Sequence, residues 1–204
     1  MKKKNLIIAS STLAAIAIAG GALAFFTDVK TATNTFTVGD VEITLTEPNW
    51  NPDENPPMTP GQEVPKDPTV TNDGTIPAYV FMEVKVPYAN VSLIDEDGNK
   101  LSAANNELFT YTLNTGWVEV GTPVLENGVA THVYAYGTAD AMTEVAVNAD
   151  VTLFNTIKFA DVAEGDFEGE NLNVVVKGLA IQTDNLDTTV PANLWNFVNN
   201  QSNQ

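Results

Sequence analysis

Twenty-six carboxylates and a single imidazole are the groups this chain has available for chemistry. The imidazole, His132, lies in an alternating segment in which His132, Tyr134 and Tyr136 interleave with Thr131, Val133 and Ala135. That pattern reads as a strand residue first. There is no Cys, which excludes a thiol nucleophile, a disulfide framework and a Cys-based zinc site. No His-Glu-x-x-His pair exists for a zincin site. Beyond residue 24 the hydroxyl nucleophiles of Ser type are Ser92, Ser102 and Ser202, none inside a Gly-x-Ser-x-Gly turn. A Ser-centred triad would therefore have to form around His132. No glycine-rich phosphate loop is present. A carboxylate pair able to hydrolyse glycosides stays open, because sequence does not say which acids meet in space. The expectation is a protein that is not an enzyme, with no catalytic, cofactor or metal residues assigned and no cofactor.

Two clusters have the donor types that suit a hard cation. Asp95, Asp97 and Asn99 have oxygen donors at alternate positions, as in a calcium loop. The Gly falls at the fourth position rather than the sixth, and the twelfth residue is Asn106 instead of Glu, so a plain hairpin turn is favoured. Asp161, Glu164, Asp166, Glu168 and Glu170 form the second cluster, read as a solvated acidic loop. Tyr134 and Tyr136 share a strand face and could form a carbohydrate-stacking patch, although packing is the simpler use of such rings.

Charge limits the partners. Nine Lys and no Arg face 26 acids, a net charge of −17, and three of the lysines are Lys2, Lys3 and Lys4. Without residues 1–24 the remaining six Lys leave a charge of −20. Such a surface repels nucleic acid and anionic lipid, attracts cations, and keeps an exported chain soluble. An exported chain without cysteine fits bacteria with a single membrane.

The lysines open a leader. Met1 to Asn5 is a positive n-region, Leu6 to Leu23 is an apolar run, and Ala22-Leu23-Ala24 supplies the small-x-small pattern that a signal peptidase cuts. A stretch of about 18 to 20 residues is also long enough for an uncleaved anchor. The Gly20-Gly21 pair, the cleavage pattern, the polar Thr27-Asp28 and the lack of further spans favour cutting between Ala24 and Phe25. Contact with the membrane is then expected only through the uncleaved signal.

The elements that must position these groups are strands. Period-two alternation runs through Val41–Leu45, Val80–Val86, Phe109–Leu113, Thr131–Tyr136, Val151–Phe159 and Asn173–Gly178. Val, Thr, Phe and Tyr dominate these runs. Asn72-Asp73-Gly74, Asp95–Asn99, Asn114-Thr115-Gly116 and Asn127-Gly128 supply turn chemistry between them. Eight to ten short strands in a β-sandwich or jelly roll are expected. Pro48 to Pro68 holds seven of the 11 prolines, cannot be a central strand, and reads as a long surface crossover. Pro191 can open a short C-terminal helix in which Leu194, Trp195 and Val198 share a face. The expected organisation is a signal helix over 1–24, one all-β domain over 25–200, and a frayed tail over 201–204.

One stretch resembles a known family. Gly20-Gly21-Ala22-Leu23-Ala24-Phe25-Phe26-Thr27-Asp28, then Asn34-Thr35-Phe36-Thr37-Val38-Gly39-Asp40-Val41-Glu42-Ile43, is similar to the TasA/camelysin family of Gram-positive bacteria. Thr59–Val64, Val70–Thr75, Ala180–Asp184 and Leu194-Trp195 extend the likeness more loosely. The resemblance implies a jelly roll, a signal peptide cut by a dedicated SipW-type signal peptidase, secretion, and a place in the extracellular matrix or at the cell surface. It also implies members that polymerise into biofilm fibres, in which the mature N-terminus adds a strand to the next subunit. Here that donor strand would carry Phe25, Phe26, Val29 and Phe36. Residues 25–37 are Thr-rich, free of proline and nearly uncharged, as strand addition requires. Self-association or pairing with other matrix proteins is the partner expectation, with signal peptidase during export. A monomeric surface adhesin or ligand-binding module, using Pro48–Pro68 or the Tyr134/Tyr136 face, is the alternative. The protease activity attached to camelysin is less well matched, because no zinc signature is present.

Overall fold

The computed structural model describes residues 39–51, 58–164 and 172–202. The chain divides into two compact units, Met1–Val38 and Gly39–Gln204, and the described residues all belong to the second. Its described residues are all-β with one C-terminal helix, as the alternation predicts.

The organising element is β4 (Ala78–Leu93), 16 residues long. Its even residues Val80, Met82, Val84 and Val86 enter one apolar cluster, while Tyr79 and Phe81 enter another. A strand with a period of two exposes successive side chains to opposite faces, so β4 lies between two covered layers. β4 pairs antiparallel with β9 (Val129–Tyr136) over Phe81–Pro87 and with β13 (Val175–Gln182) over Ala78–Lys85. Beyond Pro87 its partners change to β5 (Ala104–Glu107) and β12 (Val162–Glu164). Proline offers no N–H to a ladder. Its carbonyl is still used, by the Leu108 amide at 2.8 Å, and the next amide, Tyr88, reaches Gly128 O at 2.9 Å. The change of neighbours at Pro87 is what lets a proline sit inside a central strand. β7 (Trp117–Glu119) and β8 (Val124–Glu126) both pair with β9.

Two small sheets accompany this large one. The first has the order β1 (Ile43–Thr46), β3 (Thr69–Asn72), β10 (Asp150–Thr152); the second has β2 (Glu63–Pro65), β11 (Thr156–Phe159), β6 (Phe109–Thr110). They supply Val70, Val151, Phe109, Ile157 and Phe159 to the main cluster, where the even residues of β4 also lie. This is sheet-on-sheet packing, with the core between the layers. On the opposite face of β4, helix α1 (Pro191–Ser202) lays Leu194 and Val198 beside Tyr79 and Phe81. Pro191 occupies the first helical turn, as expected, and the Val190 carbonyl accepts from the Leu194 amide at 3.1 Å.

Two readings change. Thirteen strands are present among the described residues, rather than eight to ten, and β4 continues past the Val80–Val86 alternation through Pro87 to Leu93. The Pro48–Pro68 stretch is not wholly a surface crossover. Its described end forms the edge strand β2 and then buries Lys66 and Asp67. Their charges are met locally. Lys66 Nζ lies 2.6 Å from Glu47 Oε1 and over the Trp50 ring at 5.3 Å. Asp67 accepts from the Asn49 backbone amide at 2.9 Å and from its side-chain amide at 2.7 Å. These bonds tie Glu47–Trp50 to the segment that follows β2.

Candidate functional site

The polar centre of the described residues forms around His132. β9 presents it beside Tyr134, while Glu107 ends β5 and Glu119 ends β7. His132 Nδ1 lies 2.8 Å from Glu119 Oε1, and Nε2 lies 3.0 and 3.1 Å from the two oxygens of Glu107. The imidazolium form satisfies this arrangement completely, since it donates at both nitrogens. The side chain of His132 is 11% exposed, so the bonds are shielded from water but not sealed. Tyr134 stacks parallel to the imidazole at 6.0 Å, and Tyr111 meets Tyr134 edge-on at 6.1 Å. The two phenol oxygens are 2.8 Å apart. Burial is the main cause that pushes the Tyr134 phenol up to about 12. Burial, then the neighbouring Tyr134, raises the Tyr111 phenol further. Both phenols therefore stay protonated at neutral pH and act as hydrogen-bonding groups.

What this cluster can do is join strands. One ring ties β5 and β7 to β9, and Tyr111 ties the layer beyond through its stack on Phe154 at 4.3 Å. Replacing His132 with Ala leaves two carboxylates facing each other without a donor. The expected cost is about 1–3 kcal/mol, read as a lower urea midpoint with an unchanged slope. His132→Gln, which can donate to one carboxylate, should recover part of that loss. Equal midpoints for wild type and His132→Ala would show that the three residues do not act together.

The other sequence candidates separate. Asp95–Asn99 is a hairpin turn bridged at Ile94 and Lys100. The Asp95 carboxylate accepts the Asp97 and Asn99 amides at 3.0 and 2.8 Å, and Gly98 takes φ 82°. The Asn99 amide is the main cause holding the Asp95 carboxyl below its ordinary value. Its oxygens thus serve the turn. In the acidic stretch, Asp161 pairs with Lys158 at 2.7 Å and Glu164 with Lys100 at 2.6 Å. Asp166, Glu168 and Glu170 lie outside the described residues. The Tyr134/Tyr136 face is not an open stacking patch. Tyr134 is buried, and Tyr136 packs edge-on against Trp117 at 5.4 Å over Gly116. The cleavage residues Ala22, Ala24 and Phe25 and the donor-strand residues Phe25, Phe26, Val29 and Phe36 lie outside the described residues. Glu107 and Glu119 escape sequence reading altogether: they lie 25 and 13 positions from His132, and no local spacing announces them.

Among the described residues no helix is long and apolar enough to cross a membrane. The family model described as Camelysin metallo-endopeptidase matches residues 1–113. No curated protein matches the chain. That description implies a metal, and the donors do not fit one. A catalytic zinc takes three protein donors and keeps a position open. The chain has one His and no Cys, and its His lies beyond the matched stretch. His132 directs its two nitrogens to different carboxylates, so no point receives more than one nitrogen and one glutamate from this cluster. Among the described residues no three of His, Asp and Glu are grouped to hold an ion.

Proposed function

This chain belongs to the camelysin family, and from that premise we propose that it is a secreted structural subunit of the extracellular matrix that polymerises by strand addition, and not an enzyme. At family level it is an extracellular, matrix-type protein. The observation that carries the finer reading is a pairing of sequence and fold. A proline-free, Thr-rich segment with an apolar tip, residues 25–37, precedes a body whose sheets are built of antiparallel strands. Such a segment gains main-chain hydrogen bonds by lying along a sheet edge of another molecule. Addition of this kind does not close on itself, so it propagates into a fibre. The body's negative charge opposes close approach of subunits, and salt screens that repulsion.

The test is to secrete the full chain from a Gram-positive host. Its first residue is read by mass spectrometry and its assembly by electron microscopy. The expected product begins at Phe25 and forms fibres, faster at higher ionic strength, and deletion of residues 25–37 leaves monomers. A chain that stays monomeric across pH, salt and concentration overturns polymerisation and favours the adhesin alternative. A product that retains Met1 in the membrane overturns the export route.

A further inference from the structure

Three glycines in the sequence follow an Asp or Asn: Asp73-Gly74, Asp97-Gly98 and Asn127-Gly128. At such a pair the glycine nitrogen can close a five-membered ring on the carbonyl carbon of the preceding side chain, and glycine has no Cβ to obstruct it. A neutral carboxamide is the better electrophile, so Asn127 is the most reactive of the three by type. The fold separates them further. The Gly74 amide donates to Glu42 O and to Asn72 Oδ1, both at 3.1 Å. The Gly98 amide donates to Asp95 O at 3.0 Å. Among the described residues the Gly128 amide has no acceptor, and the Asn127 carboxamide has no partner. We propose that Asn127 is a site of self-modification, at which the Gly128 nitrogen displaces ammonia and converts the asparagine to aspartyl and isoaspartyl forms.

The step balances without an oxidant or a cofactor. Gly128 N gives its proton to water or hydroxide and attacks Asn127 Cγ. The Cγ–Nδ2 bond breaks, and ammonia leaves. Water then opens the ring at one of its two carbonyls. One opening gives an aspartyl residue with the main chain unchanged. The other gives an isoaspartyl residue, in which the main chain runs through Cβ and Cγ. Both products add a carboxylate beside Glu126, in a chain whose net charge is already −17.

Position decides whether the ring can form. Asn127 and Gly128 are the central residues of the β8–β9 hairpin, closed by the pairing of Glu126 with Val129. Both have positive φ, 51° and 79°, as a two-residue turn of this hand requires. Ring closure needs Asn127 to rotate out of that conformation, so the turn must open first. Little resists. β8 has three residues, all exposed, with Val124 62% and Leu125 58% exposed. So short and exposed an element opens locally at the low end of the stability range. The turn at Gly74 has the opposite setting, since Gly74 is buried and Asn72 holds it. The product changes the fold at one place. Gly128 O accepts the Tyr88 amide at 2.9 Å, just after Pro87, where β4 exchanges β9 for β5. An isoaspartyl linkage adds one main-chain atom, for which a two-residue turn has no room. β8 then loses its register on β9, and Tyr88 loses its acceptor. A matrix-type protein persists after secretion, so the change accumulates with the age of the molecule.

The test holds the full secreted chain folded at neutral and at mildly alkaline pH and maps its peptides by mass spectrometry. The expected result is a mass gain at Asn127, equal to the exchange of NH2 for OH, with ammonia released in equal amount and faster at the higher pH. The product should separate into two isomers of one mass. Asp73 and Asp97 should stay unisomerised in the folded chain and isomerise once urea frees their glycine amides. Asn127→Gly keeps a turn that accepts positive φ, and should melt like wild type with no mass gain at the hairpin. Aged wild type should exchange the Tyr88 amide faster than fresh protein, and aged Asn127→Gly should not. An Asn127 that reacts in urea but not in the folded chain overturns the proposal, because the turn then stays shut. Equal reaction at Asp73 or Asp97 in the folded chain overturns the part given to the free Gly128 amide. Modification with unchanged Tyr88 exchange overturns the structural consequence and leaves the site standing.

Discussion

Phe81→Ala is expected to destabilise the domain by about 3–5 kcal/mol, the range for emptying a buried aromatic site. Phe81 is fully buried in the middle of β4. Its ring lies 5.6 Å from that of Trp195 on α1, inclined at 50°. It points away from the main core, so the loss falls on the second cluster, in which Tyr79, Ala135, Met142, Leu194 and Val198 surround it. For a body of this size the change should lower Tm by roughly 10 °C. Phe81→Leu keeps most of the volume and should cost less than half as much. The sharper readout is local. The helix is held by this cluster, so Phe81→Ala should raise amide exchange along α1 more than along β9, and shift the emission of Trp195. Uniform loosening of all strands would mean that α1 is not a separately seated layer.

The same strand shows what sequence reveals and where it stops. Alternation from Val80 to Val86 announces both faces of β4, because each side chain answers only to its own position in the pleat. The continuation to Leu93 is hidden, because Pro87 signals a stop, and only the exchange of β9 for β5 as neighbour removes the penalty. The C-terminal helix is legible for a local reason: Pro191 starts it, and Leu194, Trp195 and Val198 fall on one face. Lys66 and Asp67 read as solvent-facing by type, and their burial depends on Glu47 and Asn49, which are 19 and 18 positions away. The His132 cluster fails to appear for the same reason. A single His in a strand is an ordinary residue until Glu107 and Glu119 arrive from two other strands. Local chemistry is written in the chain, and polar meetings across sheets are made by the fold.

Asn72 combines both kinds of information, and Asn72→Ala is expected to cost on the order of 3–5 kcal/mol, since each buried group left unpaired costs about 1–3 kcal/mol. In sequence, Asn72-Asp73-Gly74 reads structurally as a turn signal. In the fold Asn72 ends β3 fully buried. Its side-chain amide donates to Ile76 O at 3.0 Å and to Val145 O at 2.9 Å, and its oxygen accepts from the Gly74 amide at 3.1 Å. Its backbone amide donates to Ala149 O, and its carbonyl accepts from the Asn148 amide at 2.8 Å. One side chain thus holds the turn after β3 and the Val145 strap, which itself bridges to Ala78 at the start of β4. Asn72→Asp should be nearly as damaging as Asn72→Ala. The carboxylate keeps the acceptor for Gly74 but sets negative charge against two carbonyl oxygens at a fully buried position. Gly74 is the second half of the device. A Cβ there would stand 2.5 Å from Asp40 O and 2.9 Å from Glu42 N, both backbone atoms that cannot swing aside. Gly74→Ala should therefore push β1 away from the turn, although glycine-to-alanine changes elsewhere often stabilise through the unfolded chain. The double variant should lose less than the sum of the two single losses, because both disturb the one turn in which the residue-74 amide meets Asn72 Oδ1. Urea unfolding of the four proteins decides this, and strict additivity would show that Asn72 and Gly74 support the fold through separate contacts.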